Sequence, residues 1–275
     1  MLMNQKSANV FIFVALECEA KALINQYKLK KENTSHPFSV YSNENIILTV
    51  TGVGKVAMAS GVAYVMAGFS AIEMPVMINI GIAGHKRETL GSLFVASKVV
   101  DVESNKVFYP HLIGNNWPKS SEVKSSTLPN TYYSENCLND MEASAFYETA
   151  VRFSSSELIH CLKVVSDNEE STIEGINAKI VVEWLALHVD KIEQIFEYLQ
   201  QLRTSVVPDE LQEYTKIVNQ WHFSVSGKVR LKALLRRWSV LSSEQWLKNE
   251  GVGYENGKDI LRKLAVDVDK MDVNL

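Results

Sequence analysis

Apolar residues in this chain fall into short unbroken runs, separated by acidic, glycine-bearing and helix-periodic stretches. Residues 10–16 (VFIFVAL) form one such run, rich in β-branched and aromatic side chains, and predict a strand buried on both faces. It ends in acids. Glu17–Tyr27 (ECEAKALINQY) then carries apolar residues at near-helical spacing, and residues 38–41 and 45–51 predict two further strands around a polar turn. Thr51-Gly52-Val53-Gly54-Lys55 reads as a turn into a helix of small residues over 57–68. A strand at 76–80, a second glycine-rich turn at 81–84, and a strand at 92–102 with a short partner at 106–109 follow.

From 110 to 139 turn and loop formers dominate, with Trp117, Tyr132 and Tyr133 interspersed, which predicts a loop or mobile cover. Regular patterning returns as a helix at 141–153, a strand at 158–165 and one long amphipathic helix at 178–202. Such alternation predicts an α/β domain over 1–202, with a central mixed β-sheet flanked by helices. Past Arg203 the sequence becomes polar and helix-like, giving a separate helical extension over 203–275. Within it Lys228, Arg230, Lys232, Arg236 and Arg237 alternate with Val229, Leu231, Leu234, Leu235 and Trp238. This is a basic amphipathic helix, read as packing its apolar side on the core and solvating its charged face.

Composition narrows the partners. With 275 residues, 46% apolar and 22% charged, the chain has room for a sizeable core and is globular in character. Its net charge of -4 gives no global attraction to nucleic acid or anionic lipid, so nucleic acid is considered only for the tail. Three widely spaced cysteines and six histidines show no metal-ligand spacing, so no metal, disulfide framework or other cofactor is expected. There is no membrane-length apolar run and no secretory leader, so a reduced, cytoplasmic protein without a membrane partner is expected.

Acids mark the candidate chemistry. In α/β folds the carboxyl ends of the strands meet at one crevice. Glu19 lies just past the first strand, Glu142 in the first turn of the 141–153 helix, and Asp167 just past the 158–165 strand. Paired carboxylates at such a crevice suit general acid–base work of the kind that glycoside hydrolysis uses. The helix N-terminus favours Glu142 as an anion and hence as a hydrogen-bond acceptor. Glu17 reads as a solvated helix-start acid and His85 as a surface residue.

The acidic cluster ALECEA, the turn TGVGKVAMA, the segments INIGIAG and LGSLFVASKVVD, the helix start DMEASA and VVSDN occur in one order on strand ends. In this the chain resembles the purine nucleoside phosphorylase superfamily, most closely its 5'-methylthioadenosine/S-adenosylhomocysteine nucleosidase branch, over roughly residues 8–200. The resemblance implies that Glu19 activates the attacking water, that Glu142, after Met141, binds ribose hydroxyls, and that Asp167 protonates the purine at N7. That last task needs an Asp167 pKa raised by partial burial. Ile82, Ala83, Gly84 and Ser166 fall on the implied substrate wall, with Ile82 where the nucleosidases often have serine. Lys163 stands where they carry a basic residue near the water, without the bidentate geometry of arginine.

Between Gly91 and Met141 the chain is shorter than those nucleosidases, and their purine-stacking stretch has no clear counterpart. Tyr109 and His111 are the candidate replacements, with Trp117, Tyr132 and Tyr133 as further aromatics. The implied reaction is hydrolysis of the N-glycosidic bond of a purine nucleoside or 5'-modified nucleoside, with water as co-substrate. Phosphorolytic relatives place an arginine after the first strand; here Glu17, Cys18 and Glu19 stand there, and carboxylates repel phosphate. Lys86 and Arg87 keep phosphorolysis as an alternative. A weakly catalytic nucleoside-binding module whose tail captures a partner protein or nucleic acid is a third reading. Such relatives commonly form dimers or higher homo-oligomers, and the same is expected here.

Overall fold

A computed structural model describes residues 8–32, 37–68, 73–114, 117–207, 209–242, 244–249 and 253–272. Residues 1–7, on which the expected absence of a leader falls, lie outside this set. The chain divides into two units, one comprising residues 1–70 and 74–203, the other 71–73 and 204–275.

In the larger unit the order is β1 (Val10–Val14), α1 (Glu17–Tyr27), β2 (Lys30–Lys31), β3 (Ser39–Ser42), β4 (Ile46–Val50), α2 (Lys55–Gly68) and β5 (Val76–His85). Then come β6 (Leu93–Asp101), β7 (Val107–Phe108), β8 (Lys119–Ser125), β9 (Leu138–Asp140), α3 (Ala143–Ala150), β10 (Ile159–Asp167), α4 (Ala178–Ala186) and α5 (Val189–Val206). The strands form one mixed sheet with helices packed on it, α1 beside α4 and α2 beside α3.

Parallel pairing joins β4, β1, β5 and β10 in that order. All are mostly apolar and almost wholly buried, as strands covered on both faces require; the buried polar exceptions are Thr49 in β4, Asn79 and His85 in β5, and His160, Lys163, Ser166 and Asp167 in β10. Half of the sheet closes on itself, because β10 also pairs with β6, β6 with β8, β8 with β9, and β9 back with β5. The closed ring and the parallel set share β5 and β10, so the carboxyl ends of β1, β5 and β10 open at one place.

Several elements differ from the sequence reading. β5 runs to His85, so 81–84 continues the strand instead of turning. His85 is buried there, its Nδ1 accepting from the backbone N–H groups of Arg87 and Glu88, both at 3.1 Å. The stretch 110–139 holds β8 and most of β9, so it completes the sheet instead of forming a loop or cover. β8 (KSSEVKS) shows no apolar alternation; it is held by its parallel ladder to β6 and by a Lys98–Glu122 ion pair at 2.8 Å. The long helix at 178–202 is two helices, α4 and α5, parted at Leu187–His188, where the His188 ring bonds the Gly91 carbonyl at 2.6 Å. Periodicity alone cannot register so short a break.

The second unit contains α6 (Asp209–Gln220), α7 (Val225–Leu241), α8 (Trp246–Asn249) and α9 (Gly257–Asp272). Its own core joins Ile217, Leu231, Leu235, Trp246, Ile260 and Leu264. α7 is the basic amphipathic helix, packed against α6 and α9 by Leu231, Leu234, Leu235 and Trp238. Val229 is exposed and does not belong to that apolar stripe.

Candidate active site

Glu19 is placed by the way α1 begins. Leu16 is extended (φ -118°) just before the helix, and Glu19, three residues on, folds back over the open end. Its Oε2 accepts from the backbone N–H groups of Ala15 and Leu16, both at 2.8 Å, as in half of a capping box. Oε1 accepts from the N–H of Ile82 on β5 at 3.0 Å. The approach is possible because residue 81 is glycine: a Cβ there would lie 2.8 Å from Oε1. Burial raises the Glu19 pKa, opposed by the nearby Lys163 charge and the three N–H donors.

Glu142 sits at the N-cap of α3, and its Oε1 accepts from Gly54 N–H at 2.7 Å. The helix end is nonetheless not what governs its charge. Burial and the adjacent Asp140 push its pKa up to about 7, with Lys163 and the Gly54 N–H opposing and Glu19 adding to the rise. The expectation of a settled anion is therefore corrected: a terminal dipole is worth roughly 0.3–1 kcal/mol at an exposed site, less than desolvation costs a buried carboxylate.

Asp140 was not among the sequence candidates. At the end of β9 its Oδ2 accepts from Ala143 N–H at 2.8 Å, capping α3, and pairs with Lys163 Nζ at 2.8 Å. Its Oδ1 accepts from Ser125 Oγ at 2.5 Å. An aspartate three residues before a helical run was the available signal. Lys163 itself is only 1% exposed and lies behind the cavity wall. Burial opposes its charge, but Asp140 and Glu142 outweigh that and hold its pKa above the ordinary lysine value.

Asp167 stands at the end of β10, where the ladder to β5 slips: Val165 pairs with Ala83 and Asp167 with Gly84, leaving Ser166 as the extra residue. Such a bulge re-aims the side chains beside it. Asp167 Oδ1 accepts from Ser166 Oγ and Oδ2 from the Tyr133 hydroxyl, each at 2.5 Å. A Cβ at residue 84 would come within 2.5 Å of Oδ2, so glycine is again what lets a carboxylate lie on the strand.

These carboxylates meet at a cavity of about 290 Å³. Glu19, Glu142 and Asp167 line it together with Met141, Ile82, Ala83, Gly84 and Ser166; Leu16, Val53 and Ile173 supply apolar wall, and Pro129 and Asn130 come from the loop before β9. No lysine, arginine or histidine side chain lines it among the described residues. Lys86 instead contacts the Ser134 carbonyl (3.2 Å) and Glu169 (3.6 Å).

Tyr109 and His111 are not in the wall. Phe108 pairs with β6 and packs on Tyr147, after which Tyr109 is 66% exposed. His111 is tied to Ser156 by its N–H and its ring lies 3.4 Å from Glu157, before the start of β10. Asp167 ends that strand, roughly 25 Å away at about 3.3 Å per residue, so these two side chains serve the opposite end of the sheet. Trp117 packs on His160, and Tyr132 is 88% exposed. Tyr133 alone of those aromatics contacts a cavity carboxylate. Among the described residues no cluster of three or more His, Cys, Asp or Glu is arranged to hold a metal, and no helix is long and apolar enough to cross a membrane.

No protein-family model and no curated protein sequence matches the chain. Its fold, by contrast, matches solved structures. Arabidopsis thaliana 5'-methylthioadenosine nucleosidase superposes with a TM-score of 0.59 at 16% identity, over 71% of this chain and 97% of that one. The 5'-methylthioadenosine/S-adenosylhomocysteine nucleosidase of Colwellia psychrerythraea, solved with adenine, gives 0.54 at 17% identity, over 72% and 96%. Helicobacter pylori futalosine hydrolase gives 0.54 at 12% identity, over 70% and 99%. The α/β fold is thus that of the nucleosidases.

Proposed function

We propose that this cavity hydrolyses the N-glycosidic bond of a purine nucleoside or 5'-modified nucleoside. The observation that carries the reading is the convergence of Glu19, Glu142 and Asp167, from three separate elements, on one cavity with no cationic side chain in its wall. Glu19, held by three backbone N–H donors, takes a proton from the attacking water. Glu142 accepts hydrogen bonds from the ribose hydroxyls, and Asp167 delivers a proton to the departing base. As the C–N bond breaks, positive charge grows on the sugar, and carboxylates around it stabilise that charge.

Water suits this wall better than phosphate. Lys163 is committed to Asp140, and a phosphate dianion would face acids with no cation to meet it.

Adenosine, inosine, 5'-methylthioadenosine and larger 5'-substituted nucleosides, incubated with the protein with and without phosphate, test the proposal by chromatography of the free base. Base release independent of phosphate is expected. Release that requires phosphate refutes hydrolysis, and no release from any substrate at high protein concentration refutes the enzyme. An Asp167→Asn protein is expected to lose about 10²–10⁴ in kcat, and full activity there removes the acid assignment.

A further inference from the structure

Tyr133 is the cavity neighbour whose placement the three carboxylates do not explain. It is 3% exposed, and its φ of 44° puts a bulky residue in the left-handed region, which costs free energy and persists where surroundings impose it. Those surroundings are specific. Asn130 Nδ2 donates to Asn139 Oδ1 at 2.9 Å, and Lys86 Nζ donates to the carbonyl of Ser134 at 3.2 Å, fixing the loop on both sides of residue 133. The ring lies against β5, where a Cβ on Gly84 would be 3.1 Å from its Cε1. From that seat the phenol donates to Asp167 Oδ2 at 2.5 Å, while Ser166 Oγ donates to Oδ1. Burial and the hydrogen bond to Asp167 raise the Tyr133 pKa, so the hydroxyl remains a donor at neutral pH.

Resting on the nucleosidase reading above, we propose that Tyr133 is a positioning residue for Asp167, fixing the carboxyl group and stabilising the carboxylate left after its proton has gone to the base. In that step the glycosidic C–N bond breaks and its electron pair goes to the base. The acid O–H bond of Asp167 breaks as an N–H bond forms on the base. The Tyr133 O–H bond stays intact and its hydrogen bond to Oδ2 strengthens as charge develops there. The gain falls on the transition state and not on substrate binding.

The test compares Tyr133→Phe with the unaltered chain on the nucleoside that the substrate panel identifies, and on a 4-nitrophenyl riboside, whose nitrophenolate leaves without a proton. For the nucleoside, kcat is expected to fall about 10- to 100-fold, the loss of one hydrogen bond to a charged group, with KM within about threefold. For the riboside, kcat is expected to hold within about threefold; where it is a poor substrate, the kcat and KM split on the nucleoside decides. Equal losses on both substrates, a change carried by KM, or unchanged kcat on the nucleoside overturns the proposal. Ser166→Ala, which removes the other hydroxyl on Asp167, is expected to show the same split and decides the case if Tyr133→Phe does not fold. No base release by the unaltered chain overturns the nucleosidase reading and this proposal together, an outcome distinct from failure of the variant comparison alone.

Discussion

Replacing Glu142 by glutamine removes a buried carboxyl that titrates at about 7 in the fold, against about 4.5 when unconstrained. Because the folded value is the higher one, the folded chain holds this proton over an interval in which the unfolded chain has released it. Stability attributable to Glu142 therefore falls as pH rises from about 4.5 to about 7, and the penalty is complete above that window. At about 1.36 kcal/mol per tenfold change in proton affinity, the ionised carboxylate costs the fold about 3 kcal/mol at pH 8 and under about 1 kcal/mol near pH 5. Glutamine keeps an oxygen for the Gly54 N–H and carries no charge.

Glu142→Gln should accordingly be more stable than the unaltered chain by about 3 kcal/mol at pH 8, a rise of roughly 6–12 °C in the unfolding midpoint for a domain of this size. Most of the difference should vanish at pH 5. Thermal unfolding at the two pH values measures it directly. A gain equal at both, or a loss at pH 8, refutes the claim that burial and Asp140 set the charge of this group. The same variant should lose roughly 10- to 100-fold in kcat/KM on a nucleoside, since the group that the fold struggles to ionise is the proposed acceptor for the ribose hydroxyls.

Two other substitutions examine the frame. Gly84→Ala sets a Cβ within 2.5 Å of Asp167 Oδ2, so base release should fall by at least about 100-fold while circular dichroism keeps the folded signature; retained activity means the carboxylate can lie elsewhere. Lys163→Met leaves Asp140 buried without its cation and should cost about 3–5 kcal/mol in denaturant unfolding. Adding Asp140→Asn should recover part of that loss, and a strictly additive double variant contradicts the pairing.

Legibility in the sequence followed from what each part of the fold demands of its residues. β1, β4 and β10 stand out because parallel strands covered on both faces are built mostly from apolar residues. Glu19 and Asp167 stand out because acids follow those runs where the chain leaves the sheet. β8 did not, since KSSEVKS offers Val123 as its one apolar residue and so no alternation to read. Neither did the contacts that hold the carboxylates in place. Asp140 is only two residues from Glu142, but the Lys163 that pairs with it comes from β10, and Tyr133 reaches Asp167 across 34 residues because Leu138 and Asn139 are laddered to His85 and Gly84, bringing the preceding loop beside β5. A motif can announce a carboxylate at a strand end. Which donors and cations meet it depends on strands and loops that lie far away in the sequence.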